Sequence, residues 1–341
     1  MIIRNEEERL MQMGTEKVSV KDLMDRADDM EPKWTDIMIP GNVGLTEDGT
    51  VRFYDNTGMQ READMTEHAF TQICTAVGVP ASYVRKCIDN GMPDLAVNNY
   101  DRWAERYPRE KAQMLRLYNG VVHAQVTSRY NVFDHAEVMH GIYEAVNDPA
   151  IAGQYEANQA FMSPDKLHIR FVDFNHPLTV GGDVLHAGFT VSSNNVGSGA
   201  LAIKYFLYRF VCKNGMVKIQ NGGMMYRQTH LSDFKAAGVS LFRDIVEQVK
   251  SVSQVTTKQI ELAEKKLLTN YELETYMKQA QRELHIGQKG VDRLKDLVQN
   301  TYDPTLWGFL NSVTEAAQDY TLDTRLTMEQ WSGQVLAAAT K

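Results

Sequence analysis

The spacing of hydrophobic and polar positions changes period twice along the chain. From Val18 to Met30, VSVKDLMDRADDM fits one short amphipathic helix. Pro32 and Pro40 then interrupt the pattern. Segments 36–45 and 51–54 read as short strands joined by a turn at Glu47-Asp48-Gly49. Thr66 to Asn90 predicts two short helices. In the first, Met65, Ala69, Phe70, Ile73 and Val77 recur at helical spacing, Thr66 can cap the start and Gly78 ends it. In the second, Pro80 occupies the first turn and Gly91 closes it. A third helix is expected from Asp94 to Tyr107.

From Met114 the period becomes two. MLRLY, Asn119-Gly120 and VVHAQVTSRY predict a hairpin, because Asn-Gly supplies the positive φ angles of a two-residue turn. A helix follows at about 134–147, with Asp134 as its expected cap. Strands are expected at 166–173, 185–192, 200–212 and 216–220, the last two joined by Lys213-Asn214-Gly215, with one more at 224–229. Beyond Asp233 the pattern is helical again: residues 233–299 lack proline, and Leu306 to Tyr320 makes a final amphipathic helix after Pro304. The order predicts an α+β fold with an antiparallel, hairpin-built sheet core flanked by N- and C-terminal helices. Residues 1–110 read as mainly helical, 111–232 as the hairpin-rich core and 233–341 as helical, in one integrated unit.

With 341 residues, 43% of them hydrophobic and 23% charged, the chain can bury a sizeable core and is not disordered throughout. Its net charge of −8 argues against a uniformly basic nucleic-acid binder. The distribution is uneven. Residues 1–183 are net −11 and residues 233–341 net −2, but residues 184–232 contain no Asp or Glu and five bases: Lys204, Arg209, Lys213, Lys218 and Arg227. Three cysteines without paired short spacing, an acidic N-terminus and no long apolar run predict a soluble protein of a reducing cytoplasm.

Familiar catalytic patterns are missing. There is no phosphate loop, no dinucleotide fingerprint, no H-E-x-x-H and no G-x-S-x-G. His135 and His140 are five apart and do not share a helical face; they read as partly exposed polar histidines. Asp165, Asp173 and Asp183 could converge as a metal-binding acidic set, but nothing in their spacing demands it and such residues more often mark strand ends and turns. No catalytic residue, metal site or cofactor is expected.

The acid-free window interleaves cations with aromatics, a mixture that holds single-stranded nucleic acid: cations track phosphates and rings stack on bases. The candidates are Lys204, Tyr205, Tyr208, Arg209, Lys213, Asn214, Lys218 and Arg227, with Arg129 of the earlier hairpin extending the surface; Arg116 of that hairpin extends it too, or is solvated. A core hairpin would exclude acids equally well. On a regular strand Lys204 and Tyr208 face one side while Tyr205 and Arg209 face the other. Both readings stay open on the residues alone.

Three blocks carry a resemblance. They are Ser128-Arg129-Tyr130 with Asp134, GFTVSSNNVGSGALAI running to Tyr208-Arg209, Cys212 and Lys213-Asn214-Gly215, and Leu306-Trp307-Gly308 through Glu315. Across about residues 110–325 the chain resembles the domain of unknown function 932 family (the YafZ/YfjQ type), borne by phages, plasmids and prophages. It departs from the family at Asn195, where the family tends to have glutamate. The resemblance implies a mobile-element setting, in which members often sit beside recombination and anti-restriction genes. Two functions are therefore expected. One is a phage- or plasmid-encoded nucleic-acid-binding protein, in its concrete form an oligomeric single-stranded DNA-binding or annealing protein of recombination or replication. The other is an inhibitor or modulator of a host defence or host enzyme, docking through the acidic surface of residues 1–183.

Overall fold

A computed structural model describes residues 2–3, 18–108, 111–149, 151–180, 182–209, 214–216, 224–230 and 238–340. Strand β1 is Ile2–Ile3, followed by helix α1, Val20–Met30, which Ser19 caps by accepting the Asp22 N–H. Strands β2 (Trp34–Ile39), β3 (Gly44–Leu45), β4 (Val51–Tyr54), β5 (Gln60–Ala63) and β6 (Met65–Thr66) follow, then helices α2 (Glu67–Val77), α3 (Ala81–Asp89) and α4 (Pro93–Arg106). Thr66 caps α2 through the Ala69 N–H, and Gly78 closes it in the left-handed conformation. The helices stand where the pattern puts them. Residues 1–110 are less purely helical than expected, because β5 and β6 carry no clean alternation.

The Asn119-Gly120 hairpin joins β7 (Gln113–Tyr118) to β8 (Val121–Thr127), with φ of 50° and 82° at the two turn residues. Helix α5 is His135–Val146. Strands β9 (Glu156–Met162), β10 (Lys166–Val172), β11 (Leu178–Val180), β12 (Asp183–Asn194), β13 (Leu201–Arg209), β14 (Asn214–Met216) and β15 (Met224–Gln228) precede helices α6 (Gly238–Lys265), α7 (Asn270–Leu284), α8 (Gln288–Asn300), α9 (Leu306–Ala316) and α10 (Leu322–Ala339). Strands β9 and β11 and helix α10 go beyond the sequence expectation. The fold is α+β.

Among the described residues the strands form three sheets. One runs β1-β6-β8-β7-β2, parallel at β1-β6-β8 and antiparallel beyond. The largest runs β14-β13-β12-β10-β9, with β11 and β15 pairing β12 and β13. The third is β3-β4-β5. Because β2 and β6 pair with β7 and β8, a boundary near residue 110 cuts through a sheet rather than between packing units.

Strand β13 is buried on both faces. Leu201, Ile203, Tyr205 and Leu207 join the main apolar core, which also takes in residues of α5, α6 and α9. On the opposite face Arg170 and Lys204 meet Glu329 and Gln330 of α10. A second core, from Ile39 to Val122, gathers α2, α3 and α4 over the first sheet. Between the cores, Met114, Ala124, Val126 and Val196 form a seam. No helix among the described residues is long and apolar enough to cross a membrane.

Candidate functional site

Arg116 crosses this seam. Its side chain is fully buried and pairs with Asp36 at 2.8 Å and Asp134 at 2.9 Å, while its Nη1 donates to the Asn195 carbonyl at 2.8 Å. Its guanidinium lies over Trp34 and Tyr130. Burial works against the charge, but the Asp134 and Asp36 carboxylates overcome it and raise the pKa above the ordinary arginine value. Arg116 therefore extends no basic surface and is not solvated. Asp134 is the N-cap residue of α5 but makes no side-chain capping bond; its Oδ2 accepts from Arg116 Nη2 instead.

The segment after β12 is built around Asn194, whose Oδ1 accepts from the Val196 and Ser198 N–H groups at 3.0 and 3.1 Å. Gly197 has φ of +74°, and a Cβ there would meet Val126 Cγ1 at 2.8 Å, so only glycine fits. Gln72 of α2 donates to the Val196 carbonyl at 3.0 Å and accepts the Gln125 N–H at 2.9 Å, tying helix, strand and loop together. Asn195 donates its carboxamide to the Pro164 carbonyl, a bond that an ionised glutamate would not make.

Three clefts adjoin along this seam. The largest, about 740 Å³, is lined by His68, Lys166, His168, Ser192, Asn194 and Ser198, among others. The next, about 390 Å³, shares His68 and Thr71 with it and adds Gln72, Gln125 and Tyr130. The third, about 440 Å³, shares Gln113 and Thr127 with the second and adds Pro108, Lys111, Ser128 and Arg129. Together they trace a groove whose walls mix uncharged hydrogen-bonding side chains with apolar ones. Each carboxylate lining it is paired: Glu67 with Arg85, Asp165 with His123 at 2.5 Å and Asp323 with Lys166 at 2.8 Å. Lys111 and Arg129, both exposed, have no carboxylate within 4.0 Å among the described residues. In the largest cleft His168 Nδ1 meets Ser192 Oγ at 2.7 Å, and burial, then Arg170, Arg325 and Lys204, hold its pKa well below 6.5. The imidazole is neutral and a weak base.

The acid-free window does not form this groove. Tyr205 and Tyr208 are 1% and 2% exposed: Tyr205 packs in the main core with its hydroxyl 3.2 Å from Ser253 Oγ, and Tyr208 packs on Phe174 and Phe206. Neither ring can stack on a base, because β13 is an interior strand covered on both faces. Arg209 pairs with Asp183 at 2.5 Å and lies over Tyr302, and Asp183 also accepts from Trp307 Nε1, so this arginine fastens the fold internally. Lys204 is half-buried, its amine donates to Gln330 and burial lowers its pKa. Arg227 is exposed on β15. Asn214 opens β14, opposite Arg209. Lys213, Lys218 and Cys212 lie outside the described residues. Among the described candidates, Arg129 alone lines the groove.

His135 is 2% exposed rather than partly exposed, and burial lowers its pKa to about 4. His140 pairs with Asp28 at the surface. Asp165, Asp173 and Asp183 go to His123, His176 and Arg209 and do not converge; among the described residues no cluster could hold a metal ion. Gln72, Gln113 and Gln125 were not singled out by sequence reasoning. The only signal toward them was the pair of blocks around Tyr130 and Asn194 that the groove brings together.

Residues 122–336 match the family model described as domain of unknown function (DUF932), and the chain belongs to that family. No curated protein and no solved structure matches the chain.

Proposed function

We propose that the chain is a nucleic-acid-binding protein that holds a single strand along the groove between its two larger sheets, as a phage- or plasmid-encoded protein of recombination or replication would. The observation that carries this reading is the run of three adjoining clefts. A run is suited to an extended polymer rather than a compact ligand. Its amide and hydroxyl side chains can bond base edges and sugars without the repulsion an unpaired carboxylate would add. Lys111 and Arg129 supply phosphate contacts at one end. The family's Tyr130 and Asn194–Gly199 segments line the track, which fits a shared binding role.

The test is fluorescence anisotropy with a labelled oligonucleotide of ~20 residues, in ~50 mM salt, where phosphate contacts are strong. The expected result is binding that weakens with salt. Lys111→Ala with Arg129→Ala should weaken it about tenfold or more and reduce the salt slope by about two. No binding by the intact chain at that salt overturns the proposal.

A further inference from the structure

Helix α4 carries an open aromatic pair near the cationic end of the groove. Trp103 and Tyr107 are one turn apart, with ring centroids 5.4 Å apart and planes only 10° from parallel. They are 44% and 53% exposed. The other tryptophans are more covered: Trp307 and Trp331 are buried, and Trp34 is half-buried beneath Tyr118 and His123. A parallel pair in water leaves an outer π-face uncovered, and that face accepts a third flat ring as a continuation of the stack.

The surroundings suit an anion. Arg102 and Arg106 are both exposed. At 100° per residue, Arg102 and Arg106 stand about 40° apart on one side of Trp103, while Glu105 lies about 160° from Trp103 and about 60° from Arg102. No carboxylate lies within 4.0 Å of either arginine among the described residues. The end of the helix is pinned, since Asn42 Nδ2 donates to the Ala104 and Tyr107 carbonyls at 3.0 and 3.1 Å. Pro108, the next residue, lines the cleft that Lys111 and Arg129 share.

We infer that Trp103 and Tyr107 form a stacking platform for a base of the single strand, with Arg102 and Arg106 on its flanking phosphates. This rests on the groove reading above and extends it: the strand leaves the groove past Pro108 and its next base closes on the Trp103–Tyr107 stack. Flat rings beside cations match the alternation of bases and phosphates, which an acidic or purely apolar partner would not satisfy.

The experiment titrates the full chain with unlabelled oligo(dT) of ~20 residues while following tryptophan fluorescence, alongside anisotropy of the labelled oligonucleotide. The platform requires quenching that saturates with binding. Trp103→Ala should weaken binding about tenfold, within the range for losing one stacked base. Trp103→Phe should restore most of the affinity while abolishing most of the quenching. Trp103 is exposed, so both variants should fold, and circular dichroism checks this. Full-strength binding by Trp103→Ala without quenching in the parent overturns the platform and leaves the groove intact. Failure of the parent to bind overturns the groove reading and the platform together. A fluorescence change with protein concentration alone, without oligonucleotide, assigns the face to a second copy and overturns the platform.

Discussion

Arg116 shows how one buried charge sets the local order. It satisfies two carboxylates and the Asn195 carbonyl at once. Arg116→Met keeps the volume but strands Asp36 and Asp134 beside an apolar side chain. The expected loss of stability is about 3 kcal/mol, at the lower end for breaking a buried pair because Asp36 keeps some solvent; urea unfolding measures it. His135 gives a pH signature. In the unfolded chain its imidazole takes a proton near pH 6.5, but in the fold not until about pH 4. Its contribution is complete above pH 6.5 and falls as pH drops to about 4, by about 3 kcal/mol in all. His168 acts in the same direction. His135→Gln should flatten the stability profile between pH 6.5 and 4 in urea titrations; an unchanged profile would show that this ring is not the source. Neither residue's role was legible locally. In MLRLY the arginine alternates with Leu115 and Leu117 as a solvent-facing residue would, and what covers it comes from elsewhere in the chain: Trp34 and Asp36 of β2, Tyr130 and Asp134 before α5, and Asn195 after β12.

At the scale of elements, the caps and turns were the readable part, because they are decided within four residues: Thr66, Gly78 and Asn119-Gly120 all act where the chain places them. Strand β13 was readable as a strand, and its interior position was one of two readings the residues left open. Its alternation allows one face outward, and what removes that option is α10, a helix whose apolar pattern is too diffuse to announce it. Lys204 is the consequence. It sits in a layer with Arg170 and Arg325, where Glu329 is the carboxylate that pairs with both arginines. Lys204→Met should leave oligonucleotide binding unchanged and hold or slightly raise the melting temperature, because it removes a like charge held only by Gln330. A large loss of binding would return β13 to the interface. Strand β12 depends on Gly188, where a Cβ would lie 1.9 Å from the Phe171 carbonyl oxygen. Gly188→Ala should cost about 1–3 kcal/mol by forcing the two strands apart, seen as a lowered melting temperature.

Across the whole molecule, the net charge of −8 is compatible with a polyanion ligand because, among the described residues, the acids lining the groove are individually paired and Lys111 and Arg129 at one end have no carboxylate partner. The charge pattern along the sequence pointed to β13, whose Tyr205, Tyr208 and Arg209 are taken up inside the fold. The acid-free window is acid-free chiefly because β12 and β13 are core. The groove itself draws on α2, β7, β8, β10 and the loop after β12, a set assembled by packing rather than by sequence proximity. Photocrosslinking tests its path most directly, with an oligonucleotide carrying 4-thiothymidine at each position in turn and the adducts mapped by mass spectrometry. A strand lying in the groove gives adducts in the segments 103–111, 127–130 and 194–199, in a fixed order along the oligonucleotide. Adducts confined to β15 around Arg227 or to the C-terminal helices, or adducts in no consistent order, would contradict the account.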